Sequence, residues 1–468
     1  MSSRLPAIGL GFAVVLANQG GVRLRDEILY RLPARPIALA GAGPSGSFAI
    51  ALPAAGRVRV VVNGRQEGVF LEVLAPTPGQ PFVFSEDGAR LAYAARTPRG
   101  WQVFFDGQPG PVVTGIQDLQ VSRTGTLHTY KATIGVEKRL FVNGAPATGR
   151  PLATPVQFDR AERSFAYVIE GPNGQAVVHD GRVVDWERGI LHASLQISPD
   201  GQRVAYQAVG DSGHVVVVGG RRYGPFDPFP EGADIIFSPD GSRVAAAVMA
   251  GGVPSLLEVD SAGTVSRRPT QGLPTAITFS ADGRRIAYVE SFRGRERVVV
   301  DTSPGPWYQG IGSFDDGRRL QSTLGFGPDG KRVSYTASPD GAQWLAVIDG
   351  SEGEPWDAIV GPVQFSPDGT RTAFFATRAG VRYAVVDGRR SEGFDDSQRG
   401  GTFTQDDRHF LFTARRGRTH HLFVDGRPVA ERRQAPRSRF YAGAKGVVQV
   451  VTLSEVEGAV MLTTIELP

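Results

Sequence analysis

Ile197-Ser198-Pro199-Asp200-Gly201-Gln202-Arg203-Val204-Ala205-Tyr206 decides how this chain reads, because close copies return along its whole length. They stand at Phe84-Ser85-Glu86-Asp87-Gly88, Phe237-Ser238-Pro239-Asp240-Gly241 and Phe279-Ser280-Ala281-Asp282-Gly283. Two more are Phe326-Gly327-Pro328-Asp329-Gly330 and Phe365-Ser366-Pro367-Asp368-Gly369, with degenerate copies at Val121, Phe158 and Phe403. From residue 84 the successive spacings are 37, 37, 39, 40, 42, 47, 39 and 38. Weaker copies near Ala42-Gly43-Pro44-Ser45-Gly46 and Phe440 bring the total to eleven units, or twelve if the first 41 residues form one of their own. A period of this length is the mark of a repeat architecture.

A second phrase follows the first by about 22 residues: an apolar run ending in Asp-Gly or Asn-Gly. It reads Phe104-Phe105-Asp106-Gly107, Phe141-Val142-Asn143-Gly144, Val178-His179-Asp180-Gly181, Val347-Ile348-Asp349-Gly350, Val385-Val386-Asp387-Gly388 and Phe423-Val424-Asp425-Gly426. Asn63-Gly64 fills the same slot. Asp and Asn interchange because a two-residue type I′ hairpin needs φ > 0 at both positions. The unit from Phe237 departs, carrying Asp260-Ser261-Ala262-Gly263 instead.

Each unit therefore holds four strands in about 40 residues, with no sustained helical periodicity. That is a propeller blade, whose apolar faces are buried only against neighbouring blades. The expected fold is an all-β propeller of about 11–12 four-stranded blades. Rings usually hold four to eight, so two rings of about six are expected, at 1–235 and 236–468, with one oversized ring as the alternative.

The phrase Phe-Ser-Pro-Asp-Gly-x-Arg-x-Ala-Tyr resembles the TolB-type family of β-propeller repeats, relatives of the WD repeats, over nearly the whole chain. The resemblance implies the fold and a bacterial style of protein. It leaves function open, since the family includes binding scaffolds, components of protein complexes and propellers attached to peptidases. No Gly-x-Ser-x-Gly elbow occurs and no residues remain for a hydrolase domain, which disfavours the peptidase branch.

Composition narrows the classes further. Gly 60 and Pro 33 make 20% of 468 residues, turn-rich but below a disordered chain. With 41% hydrophobic residues a large core is available. Zero cysteines exclude disulfides, thiolate zinc sites and cysteine nucleophiles. The net charge of +4 is dispersed, and the longest basic stretch, 431–439, lacks aromatics for base stacking, so no nucleic-acid partner is expected. No run of 18 apolar residues exists, so no transmembrane segment is expected. Leu5–Ala17 has the outline of a signal peptide, but one positive charge and breaks at Pro6, Gly9 and Gly11 favour a strand at Phe12–Ala17. The compartment stays open, with cytoplasm favoured over a secreted or periplasmic location.

Few constellations carry chemistry. Gly41-Ala42-Gly43-Pro44-Ser45-Gly46 matches a dinucleotide fingerprint, but the strand pattern after Pro53 leaves no room for the helix it needs, so no cofactor is expected. Ser338-Pro339-Asp340-Gly341-Ala342-Gln343-Trp344 departs from a sialidase Asp-box in spacing and reads as a plain turn. The seven histidines form no metal motif, and the acid pairs at 315–316, 395–396 and 406–407 read as turn acceptors rather than a calcium site, so no metal is expected.

One pattern stands apart. A large aromatic, often followed by an acid or Tyr, recurs five or six residues after the hairpin glycine slot: Trp186, Phe226-Asp227, Trp307-Tyr308, Trp356-Asp357 and Phe394-Asp395. Six strand residues span about 20 Å, placing these at the blade end opposite the Asp-Gly turn. Two readings compete: a ring of exposed anchors for a protein or peptide, or packing against the neighbouring blade. The functional expectation is a non-catalytic scaffold binding a protein partner through this face. A propeller glycan hydrolase or lyase with converging carboxylates, or a lectin, is the alternative.

Overall fold

The structure is a computed structural model describing residues 14–19, 22–34, 36–42, 47–74, 81–147, 150–151, 156–159, 161–229, 234–315, 320–432, 441–442, 447–454 and 459–467. Among these residues the longest helix is the three-residue turn His192–Ser194, and none is long and apolar enough to cross a membrane. The described residues form eleven antiparallel sheets of four or five strands. The fold is an all-β propeller, one blade per repeat. Blades 1 to 10 occupy residues 38–70, 72–109, 115–146, 150–187, 189–226, 235–269, 273–304, 310–352, 358–390 and 396–432. Blade 11 is composite. Its strand order is Val14–Gln19, Val22–Arg31, Ala459–Glu466, Val447–Ser454 and Tyr441–Ala442, so both ends of the chain build one sheet.

By contact the chain forms two compact units, residues 1–112 with 394–468 (blades 1, 2, 10 and 11) and residues 113–393 (blades 3 to 9). The boundary expected at 235/236 does not coincide with either: it falls inside the strand Ile235–Phe237 and inside the second unit. A split there also separates the strands Val22–Arg31 and Ala459–Glu466, which pair from Arg23↔Glu466 to Arg31↔Ala459.

Blade 9 shows why the repeat phrase recurs. Its strands are Ala358–Phe365, Thr372–Arg378, Val381–Val386 and Arg389–Arg390. In the first turn the Ser366 hydroxyl donates to Asp368 Oδ1 at 2.6 Å and accepts the Arg371 N–H at 2.9 Å, while the Gly369 N–H reaches the Ser366 carbonyl at 2.8 Å. At the second, Asp387 and Gly388 have φ of 51° and 76°, the pair a type I′ turn requires. Asp387 Oδ1 also accepts the Thr372 N–H at 2.9 Å. Asn63 and Asn143 do the same for Phe48 and His128, so Asp and Asn interchange for a second reason: either offers that oxygen.

The recurring arginine joins blades. Arg203, Arg243, Arg285 and Arg332 each stack on the aromatic opening the next blade's phrase (Phe237, Phe279, Phe326 and Phe365), at 5.1–5.6 Å. Each also donates to carbonyls of that blade's turn; Arg332 reaches Gly369 and Thr370 at 3.1 and 3.0 Å. Arg332→Ala removes these bonds, the stacking and the ion pair to Asp349. It is expected to cost about 1–3 kcal/mol in urea unfolding, against nearly nothing for exposed Arg295→Ala.

The 47-residue spacing has a structural cause. Blade 8 inserts a hairpin, Ser313–Asp315 paired with Leu320–Ser322, into its inner strand. Its base is fixed by the buried Thr323 hydroxyl, which donates to the Gly312 carbonyl at 3.0 Å and accepts the Thr336 N–H at 2.9 Å.

The turns also predict an acid response. Hydroxyls of Ser85, Ser198, Ser280 and Thr404 hold the carboxyls of Asp87, Asp200, Asp282 and Asp406 below the usual aspartate range. A lowered folded-state pKa contributes stability above the unfolded value, lost as pH falls through the folded one. Calorimetry at stepped pH is therefore expected to show a stable plateau above about pH 5 and a falling melting temperature below about pH 4.

Candidate functional site

The slot aromatics stand where the spacing places them, at the blade ends opposite the Asp-Gly turns. Trp186 pairs with Ala176, Phe226 with His214, Tyr308 with Glu296 and Trp356 with Trp344, each near the start of a third strand. Their environments differ. Trp356, Tyr308 and Phe394 are 1, 3 and 3% exposed. Trp356 lies in a cluster with Val363, Phe374 and Val385 of blade 9, with the guanidinium of Arg378 over its ring at 4.4 Å. Phe394 packs on Phe412 and Phe423 at 5.6 and 6.0 Å. Tyr308 donates to Glu352 Oε1 at 2.7 Å; burial raises its phenol pKa, reinforced by that carboxylate. An exposed aromatic ring at these three positions is therefore corrected: they are wedges within or between blades, where large aromatics bury most area.

Trp186, Phe226 and Trp307 are half-buried. Trp186 lies against Gly171, where a Cβ would overlap its ring, so the glycine makes its seat. Phe226 packs beside Phe229 at 6.4 Å. Trp307 carries the Arg297 guanidinium at 4.4 Å and has Phe292 at 6.3 Å.

The slot acids have one shared task. Asp227 Oδ2 accepts the Gly252 N–H at 2.7 Å, Asp357 Oδ2 accepts that of Ala379 at 2.6 Å, and Asp395 Oδ2 accepts that of Gly417 at 2.7 Å. Their own N–H groups donate to Met249, Thr377 and Arg415 carbonyls at 2.9 Å. Each Asp thus pins the hairpin between the second and third strands of the blade that follows. Those hairpins in blades 6 and 9 display exposed Val253 and Val381; the matching hairpin of blade 3 displays Ile134 and Val136, the latter 98% exposed.

One constellation escaped the sequence reading. The Ser164 hydroxyl lies 2.8 Å from His179 Nε2 and donates to Asp180 Oδ2 at 2.8 Å. It is not an activated nucleophile. The same Nε2 is 3.0 Å from the Gly201 carbonyl, which only accepts, so Nε2 carries a proton and is not free to take one. The carboxylate holds the serine rather than the far ring nitrogen, the reverse of the nucleophile–base–carboxylate order. In blade 4 Ser164 replaces the joining arginine, and His179 makes the bond to the next blade.

The remaining motifs resolve as turns. Asp340 Oδ1 accepts the N–H groups of Ala342 and Gln343 at 2.8 Å. Gly41 and Ala42 end a strand whose register with the next includes Ala42↔Ser47; the fingerprint's residues 43–46 lie outside the described residues. So do Asp316, residues 433–440 of the basic stretch and weak repeat, and residues 1–13 of the leader-like segment; Val14–Ala17 belongs to a strand, as expected. Asp406 accepts from Thr404 at 2.6 Å. Among the described residues no three His, Asp or Glu side chains group as metal ligands.

No family model matches the chain, and no curated protein matches it. Among solved structures it is similar to TolB from Acinetobacter baumannii at 16% identity, over 68% of this chain and 81% of that one, with a TM-score of 0.25. It is also similar to the Cps50 (Swd1) β-propeller domain of Myceliophteria thermophila at 14% identity, over 69% and 97%, with a TM-score of 0.28. An oligogalacturonate lyase in complex with manganese aligns at 12% identity over 64% and 96%, with a TM-score of 0.29. The propeller fold is defined by this chain's own strand pairing.

Proposed function

We propose that the protein is a non-catalytic binding scaffold that engages a protein or peptide partner through the blade ends opposite the Asp-Gly turns, in the unit of blades 3 to 9. The observation that carries this is the hairpin display: apolar Ile134, Val136, Val253 and Val381 stand exposed at tips on this end. Two of these tips are pinned by a slot Asp, so the side chains are presented on fixed turns rather than loose loops. Rigid presentation lowers the ordering cost of binding. Of the expected partner-binding residues, Trp186, Phe226 and Trp307 keep accessible surface on this end, while Asp227 and Asp357 act by positioning its hairpins.

The test is affinity capture from the source lysate, comparing the wild-type chain with Val136→Asp/Val253→Asp. A protein held in stoichiometric amount by the wild type and lost from the variant is expected. Equal retention by the variant, or no stoichiometric protein on the wild type, overturns the reading.

A further inference from the structure

The hairpin joining the second and third strands of blade 7 has unused capacity of one kind. The strands Ile286–Phe292 and Arg295–Val300 meet at Phe292↔Arg295, with Arg293 and Gly294 at φ of 52° and 75° forming the two-residue turn. Arg293 and Arg295 are both exposed, and among the described residues neither has a carboxylate partner. The Arg293 guanidinium lies 5.0 Å from the Phe292 ring centre; Phe292 neighbours Trp307, and Trp307 carries Arg297. The result is a stack of cation, ring, ring and cation.

The nearby acids are already committed. Glu290, 2% exposed, holds Arg297 at 2.6 Å and accepts the Gln271 N–H at 3.1 Å through its other oxygen. Glu296 accepts the Ser291 hydroxyl at 3.1 Å and the Ile311 N–H at 2.6 Å. What remains at the tip is donors only: two free guanidinium groups, each with five N–H bonds in a planar fork that matches a carboxylate. Arg297 is fixed by a buried carboxylate, so the aromatic stack is held in place before any partner arrives.

We infer that this tip binds an acidic peptide segment, its carboxylates on Arg293 and Arg295 and its chain against the open sides of Phe292 and Trp307. The inference rests on the scaffold reading and names the chemistry of its partner. Charge complementarity selects the occupant: the complement of unpaired guanidiniums beside half-buried rings is an anionic chain with apolar stems. A single-stranded nucleic acid shares the anion, but it needs a basic track along its backbone, and the protein's +4 is dispersed, so the peptide is favoured.

Fluorescence anisotropy on the full chain tests it, with labelled octaglutamate, octalysine and oligothymidine as probes at 50 and 300 mM salt. Octaglutamate is expected to bind, octalysine not. Affinity is expected to fall about tenfold in Arg293→Asn/Arg295→Gln, and more than twofold at the higher salt. Both substitutions lie on an exposed turn, and an unchanged melting temperature confirms an intact fold. Octaglutamate binding unchanged in the double variant, no octaglutamate binding, or tighter binding of oligothymidine overturns the proposal. The wider scaffold reading is read separately: a captured partner lost from Val136→Asp/Val253→Asp but retained by Arg293→Asn/Arg295→Gln sinks only the acidic-tip assignment.

Discussion

Deleting Ala459–Glu466 is expected to abolish the cooperative folding of the unit built from blades 1, 2, 10 and 11. This strand lies between Val22–Arg31 and Val447–Ser454 in the composite sheet, so its loss removes both ladders and leaves two open edges. Ala459, Val460 and Ile465 are fully or almost fully buried, and Val460 packs with Phe48, Ile50 and Leu52 of blade 1. Burial of Val460 and Ile465 alone contributes about 3–6 kcal/mol, against a total stability of about 5–15 kcal/mol for a typical domain. Near-UV circular dichroism during thermal unfolding is expected to lose part of its cooperative amplitude or to melt more than about 10 °C lower. A melt superimposable on the full chain's refutes the role of this sheet.

Trp356→Ala is the second large effect. The indole is buried against blade 9, and its removal leaves a cavity lined by Val363, Phe374 and Val385. Large-to-small replacement of a core aromatic costs about 3–5 kcal/mol. Phe394→Ala, losing contacts with Phe412 and Phe423, belongs with it. Trp307→Ala, at a half-buried ring on the blade end, is expected to cost about 1 kcal/mol or less. Chemical denaturation of the three variants separates wedge from surface; equal losses for Trp307 and Trp356 contradict that contrast. The contrast also changes which variants report on binding, since a partner lost from Trp356→Ala is lost with the fold.

The blades were legible because local chemistry writes them. Ser-Pro-Asp-Gly closes its own turn through the Ser198 hydroxyl and Asp200, and Asp-Gly carries the φ signs of a type I′ hairpin; both need only neighbours in sequence. The longer spacing ahead of Phe326 was visible too, and the hairpin at 313–322 is its cause. What the repeat does not write is which blades meet over long distances. The pairing of Arg23 with Glu466 depends on a register between segments more than four hundred residues apart, whereas the division expected at 235/236 rests on the usual number of blades in a ring and the irregular unit from Phe237.

The slot residues show the same limit. Their position at the blade end followed from counting strand residues, but their burial did not. Trp307 and Trp356 occupy similar sequence contexts, Pro-Trp-Tyr and Pro-Trp-Asp, yet one stays half-buried and the other is sealed by blade 9. The role of Asp227, Asp357 and Asp395 was likewise out of reach, because each accepts its turn N–H from 22 to 25 residues further on.

A partner docked as proposed, on the blade ends opposite the Asp-Gly turns in the unit of blades 3 to 9, shields that end and leaves the other open. Two of the four lysines report on opposite ends of that unit: Lys138 follows the hairpin tip at Val136 in blade 3, and Lys331 follows the Gly330 turn in blade 8; both are exposed. Amine acetylation with and without saturating captured partner, read by mass spectrometry, compares them within one sample. Protection of Lys138 with Lys331 labelled at its free rate is the predicted result. Protection of Lys331 with Lys138 unchanged contradicts the claim.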